Sequence, residues 1–277
     1  MGEGQTNKLM LSPAMFVAGV IAFLFLTTGA SLTCAQSTRN LTPTQAEIEK
    51  QQQRLSSGDE EERRDALMRL AAMHRPAASR VALPALSDPS PMIRVTAAKA
   101  ILSLDPAESA AALLPLLNDK DEFVRRETAY ALGQTHSRTA TAALSDLLLN
   151  DKEAGVRGAA AVALGEIADE AGVIALSSPL APELSTPAKS KRKREENPFV
   201  LRAAAAALGR IKSRAGTAAL ISAVSNEKFP SDVRREAARA LGLIADPAAI
   251  PALKSVSTAA DPFLAELAYK SLRKISH

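Results

Sequence analysis

Asp232-Val-Arg-Arg-Glu-Ala-Ala-Arg-Ala-Leu-Gly242 is the stretch on which the reading of this chain turns. Val233 is followed four and five residues later by Ala237 and Ala238, and eight later by Leu241, so these four fall on one face of an amphipathic α-helix. Gly242 stands where that helix is expected to stop, because glycine tolerates the left-handed conformation common just beyond a helix end.

The same pattern recurs along the chain. Close copies are Val124-Arg-Arg-Glu-Thr-Ala-Tyr-Ala-Leu-Gly133, Val156-Arg-Gly-Ala-Ala-Ala-Val-Ala-Leu-Gly165 and Val200-Leu-Arg-Ala-Ala-Ala-Ala-Ala-Leu-Gly209; weaker ones run from Ile93 to Leu102, Glu62 to Ala71 and Leu264 to Arg273. Anchored on Leu70, Ile101, Leu132, Leu164, Leu208, Leu241 and Leu272, the spacings are 31, 31, 32, 44, 33 and 31, so one unit carries an insertion. Gly133, Gly165 and Gly209 are expected to be helix stops like Gly242, whereas Ala71 and Leu102 replace glycine and must close their helices differently.

Between these A helices lies a second apolar stretch, helix B, as in Ala111 to Leu117, Ala143 to Leu149 and Ile250 to Val256. Pro84, Pro115 and Pro251 lie near its start, where a missing N–H costs little. Ile48 to Leu55 reads as a B helix with no A before it, and Phe263 to Ser276 as an A helix with no B after it. The expected array is therefore B, six A–B pairs and a final A, fourteen helices in all. Two short helices per unit cannot each close a core, so stacking must bury their faces. Glu266, Lys270 and Lys274 supply the polar outer face that a terminal helix needs.

The signature Asp-x-x-Val-Arg-x-x-Ala-x-x-Ala-Leu-Gly at this period resembles the short bacterial HEAT-like repeats of the phycobilisome-lyase type, over about residues 45–277. The resemblance implies an all-α fold, a right-handed α-solenoid of stacked antiparallel helix pairs. It implies protein binding more readily than catalysis, although the family also includes bilin lyases.

Composition agrees with thin stacked helices: 47% of residues are hydrophobic but only 3% aromatic, with no Trp, and runs such as Ala203 to Ala207 let backbones approach closely. The net charge is +4, and the run Lys189 to Glu196, with five basic and two acidic residues, supplies three of those charges. The rest of the chain is nearly neutral, without the basic face and interleaved aromatics of a nucleic-acid binder.

At the N-terminus, Ala14 to Leu26 is an uninterrupted apolar run preceded by Lys8 and followed by small and polar residues, the plan of a secretory signal peptide. Thr33 and Ala35 suit cleavage before Gln36, giving a leader over 1–35, a linker over 36–44 and the repeat domain from 45. The alternative is an uncleaved inner-membrane anchor over 14–32. Cys34, the only cysteine, matches a lipoprotein motif poorly and would leave with the leader, so the mature chain would have no thiol and would rely on packing. The expected location is periplasmic or extracellular.

No catalytic, cofactor or metal site is legible. His74, His136 and His277 stand apart, with no ligand-spaced Cys or carboxylate. His136, Ser137 and Asp146 read as a polar A-to-B turn rather than a triad. Arg94, Arg125, Arg157 and Arg234 directly follow the aliphatic position, and acids such as Asp121 and Asp232 precede several of them. They are expected to form a structural ladder, each Arg pairing with the Asp of its own or the next unit, rather than a surface for an acidic partner.

The insertion over about 181–196 cannot continue the stack. Its Lys189, Lys191, Arg192, Lys193 and Arg194 read either as a solvated loop or as a contact for a partner or anionic surface. The expected function is a non-catalytic protein-interaction scaffold in a bacterial envelope, without a cofactor, binding a protein on the surface of successive B helices. The alternatives are a bilin-lyase-like enzyme and, more weakly, binding of a polyanion or nucleic acid through the insertion.

Overall fold

The structure, a computed structural model, describes residues 42–182 and 196–276. The expected leader with Cys34, the alternative span 14–32, the basic residues Lys189, Lys191, Arg192, Lys193 and Arg194, and His277 lie outside the described residues.

Fourteen α-helices and no strand form among the described residues. In chain order they are α1 (Pro43–Arg54), α2 (Glu60–Ala72), α3 (Pro76–Ala82), α4 (Pro91–Ala100), α5 (Pro106–Leu113), α6 (Glu122–Thr135), α7 (Thr141–Asn150), α8 (Ala154–Ile167), α9 (Val173–Ser177), α10 (Pro198–Ile211), α11 (Thr217–Ser225), α12 (Ser231–Ile244), α13 (Ile250–Val256) and α14 (Pro262–Ile275). Odd numbers are B helices and even numbers are A helices. Each A helix packs on the B helix that precedes it, and each from α2 to α12 also packs on the next A helix.

The helix starts follow local chemistry. Thr42 opens α1 with a capping box completed by Gln45, while Asp59, Asp105, Asp121, Asn197 and Asp261 each accept a backbone N–H of the helix they precede. The recurring aliphatic residue is buried in the A helices from α4 onward, as Ile93, Val124, Val156, Val200, Val233 and Leu264. The alanine four residues later is buried beside it in α4, α8, α10, α12 and α14; α6 has Thr128 there. Side chains this small bring the A helices together at close range, which is why so little aromatic volume is needed.

Two local expectations are corrected. Pro84 and Pro115 do not start B helices; each occupies the second residue of a 3-10 turn, Leu83–Ser87 or Leu114–Asn118, that follows α3 or α5. The proline lacks the N–H needed to continue an α-helix, so the B layer of these units is split.

The glycines are not helix stops. Gly133, Gly165, Gly209 and Gly242 lie inside α6, α8, α10 and α12, and the left-handed residues are His136, Ala168, Lys212 and Ala245, three positions further on. A Cβ on Gly133 would stand 2.8 Å from the Cα of Ala163, one on Gly165 2.9 Å from the Cα of Ala207, and one on Gly242 2.9 Å from the Cα of Ser271. Each glycine is thus the point at which one A helix touches the next.

That contact face changes in the last described helix. In α14, Tyr269 replaces the fully buried second alanine of α4, α6, α8, α10 and α12 and is 61% exposed, while Arg273 occupies the glycine position. Two large side chains thus stand where α6, α8, α10 and α12 carry alanine and glycine against their neighbours. The polar face beside them includes a Glu266–Lys270 ion pair of 2.6 Å.

Candidate interaction surface

The turns leading from B to A helices are joined by arginines. Arg94 donates Nε and Nη2 to both carboxylate oxygens of Asp119, at 2.7 and 2.8 Å, and Nη1 to the carbonyls of Asp88 and Pro89. Arg125 does the same with Asp151 and the carbonyls of Asp119 and Lys120, and Arg157 with Glu196 and the carbonyls of Asp151 and Lys152. Arg63, not foreseen from the sequence, adds a rung to Asp88 and the carbonyls of Ser57 and Gly58. Each guanidinium therefore holds the turn before its own helix and the turn of the next unit.

The acids in these rungs differ from those the sequence suggested. Asp121 caps α6, accepting from Phe123 and Val124, and Asp232 faces Arg202 at 3.5 Å on the surface. Arg234 donates Nε to the Val224 carbonyl at the end of α11, while its neighbour Arg235 takes Asp261. In the first three rungs the acid stands two residues before the N-cap of the following A helix. That recurrence, Asp88, Asp119 and Asp151, was the signal available in the sequence.

The ladder is buried: Arg94, Arg125 and Arg157 are each less than 9% exposed. Burial works to raise the pKa of the Asp119 carboxyl, but hydrogen bonds from Arg94 and the Asp121 N–H, with the Arg94 charge, outweigh it and hold the carboxyl below its usual range. The Arg235 hydrogen bonds likewise lower Asp261. Asp119 and Asp261 are thus charged at neutral pH and matched within the fold.

The exposed side of the B helices is different in character. Repeat-equivalent positions form a row of Arg80, Ala111, Ala142, Ile174, Ala218 and Pro251 on α3, α5, α7, α9, α11 and α13, all exposed. Ile174 is 84% exposed among these mostly small residues, and Arg80 pairs with Glu108 at 3.2 Å. No sequence signal marked Ile174, because an isoleucine in a short apolar helix reads as core.

Other groups are committed elsewhere. The Nδ1–H of His136 donates to the Glu166 carbonyl at 2.8 Å, Ser137 Oγ meets Thr139, and Asp146 accepts from Asn150, so these three residues form no catalytic relay. Among the described residues no group of His, Cys, Asp or Glu is placed to hold a metal, and no helix is long and apolar enough to cross a membrane. A cleft of about 260 Å³ beside α1 and α3 is walled by Leu55, Val81 and Ile93, and its charged residues, Arg63 and Asp88, already bind each other.

Fourteen alternating helices, joined by an arginine at each early B–A turn, match an assigned architecture: residues 48–133, 110–181 and 188–273 fit the description HEAT repeats. The chain belongs to the HEAT-repeat family. No curated protein matches it by sequence.

Among solved structures, it is similar to an engineered protein at 23% identity, covering 83% of this chain and 68% of the other, with a TM-score of 0.50. It is also similar to the complex of CpcE and CpcF of phycocyanin lyase from Nostoc sp., at 24% identity, covering 86% and 89%, TM-score 0.47. Human deoxyhypusine hydroxylase is a third, at 19% identity, covering 84% and 96%, TM-score 0.41. At 23% identity the engineered protein shares the fold alone.

Proposed function

We propose that this protein is a non-catalytic scaffold that binds a protein partner on its B-helix face. The observation that carries the reading is the accessible row across six successive B helices, centred on Ile174 at 84% exposure. The buried arginine rungs and the caps spend their polar groups on stacking, whereas beyond Arg80 this row presents small side chains with one large aliphatic group near its middle. A bound partner covering Ile174 would gain roughly 1.5–3 kcal/mol from its burial. The basic residues Lys191, Arg192, Lys193 and Arg194 follow α9, which carries Ile174, and are proposed as a second, electrostatic contact.

The test is affinity capture from envelope extract followed by titration with the recovered partner. Ile174→Glu is expected to weaken binding at least about tenfold while leaving stability within roughly 0.5 kcal/mol. Replacing the four basic residues by Ser is expected to weaken binding and flatten its dependence on salt. Equal binding by wild type and both variants would sink the reading. The envelope location is part of the proposal and rests on the apolar run Ala14 to Leu26. A mature chain beginning at Gln36 by intact mass is the expected result, and a species starting at Met1 or Met10 would refute cleavage.

A further inference from the structure

The arginine ladder stops at both of its C-terminal positions, but in different ways. At the fifth position Leu201 replaces the arginine and Lys228 replaces the acid, so both halves are gone. At the sixth, Arg234 is retained, while Ala259 stands where Asp119 stands to Arg94, 25 residues further on. Asp261, the acid nearest in sequence, is held by both Nε and Nη2 of Arg235.

Arg234 is therefore a half-buried guanidinium anchored by one bond, Nε to the Val224 carbonyl, and its two Nη groups have no partner among the described residues. The exposed Glu227 and Lys228 on the adjoining turn do not pair with it. A planar guanidinium held near the end of α11 presents its Nη1 and Nη2 edge to a carboxylate, which accepts parallel N–H bonds there; the upstream acids take the Nε and Nη2 edge, which in Arg234 is partly used by the Val224 carbonyl.

We propose that Arg234 is an open rung: a site at the C-terminal end of α11 that takes a carboxylate of the bound partner, from an acidic side chain or a chain terminus. The identity of the carboxylate's owner rests on the scaffold reading, but the site itself is testable without any partner. In the full chain, the Nε–Hε NMR signal of Arg234 is assigned by its loss in Arg234→Lys. It is then titrated with N-acetyl-aspartate amide, N-acetylglycine and the neutral N-acetyl-asparagine amide.

The expected result is a saturable shift with a carboxylate and none with the neutral analogue, at concentrations that leave the exposed Arg69 and Arg80 signals unmoved. Tighter binding of the aspartate compound identifies an acidic side chain, and tighter binding of N-acetylglycine a chain terminus. Ala259→Asp supplies an internal carboxylate at the rung position. It should shift the Arg234 signal without ligand and weaken external carboxylate binding at least about tenfold, because a tethered group competes at a high effective concentration. Its melting temperature should rise, and the rise should vanish when Arg234→Gln is added.

A response equal to that of Arg69 and Arg80, or an Ala259→Asp variant with unchanged ligand affinity and melting temperature, would overturn the proposal. The scaffold reading would survive that outcome, since it stands or falls on partner capture.

Discussion

Arg94→Ala is expected to remove about 3–5 kcal/mol of stability, because it leaves one member of a buried ion pair behind. The side chains of Arg94 and Asp119 are 8% and 12% exposed, so water replaces little of what is lost. The variant loses both bonds to Asp119 and both bonds to the carbonyls of the preceding turn. Arg94→Lys keeps the charge but not the fork, and should recover only part of the loss.

The pH dependence carries a sign that identifies the pair. The Asp119 pKa is lowered on folding, so its contribution is present above the unfolded value near 3.9 and is lost as pH falls through the folded value. In Arg94→Ala the hydrogen bonds and charge of Arg94 that opposed burial are gone and only the Asp121 N–H bond remains, so the carboxyl takes up its proton at a higher pH than in the wild type. The variant's deficit is therefore largest near neutrality and narrows below about pH 4. Urea denaturation at pH 7 and pH 3.5 measures both effects. Unchanged stability combined with lost partner binding would mean that the ladder is a recognition surface.

Gly165→Val is expected to cost roughly 3 kcal/mol, at the upper end of what overpacking does to a close contact. Even the first carbon of a new side chain would meet the Ala207 Cα and Cβ at 2.9 Å, against ordinary contact beyond 3.4 Å. The atoms it meets include backbone, so α8 and α10 must separate. Gly165→Ala decides between two roles by its sign. In an unconstrained helix interior the change is worth about 1 kcal/mol in favour of Ala, whereas at this contact it should be destabilising. Hydrogen exchange should show the loss of protection centred on α8 and α10, because each unit of a stacked array depends on its neighbours.

The sequence carries these facts unevenly. The arginines were legible because they recur at the repeat period, but their partners were not. Asp119 and Asp121 are equally acidic and two residues apart; the helix start consumes Asp121, and only stacking brings Asp119 to Arg94. The glycines were legible as special positions, yet their purpose was misread. A helix end and a helix crossing both exclude Cβ, and the crossing is made by a residue about 30–40 positions away. Ile174 was invisible as surface, since a short apolar helix gives no internal sign of which face is covered.

Local chemistry and periodicity thus determined from the sequence alone that the chain is all-α, that it is built of units near 31 residues, that its array is B, six A–B pairs and a final A, and that one unit carries an insertion. These follow from side-chain spacing within a single helix, which needs no information from elsewhere. The tertiary structure alone decided which acid each arginine holds, why glycine recurs and which apolar residue stays exposed. Each of those depends on the distance between groups in different repeats, and that distance is set only when the helices stack.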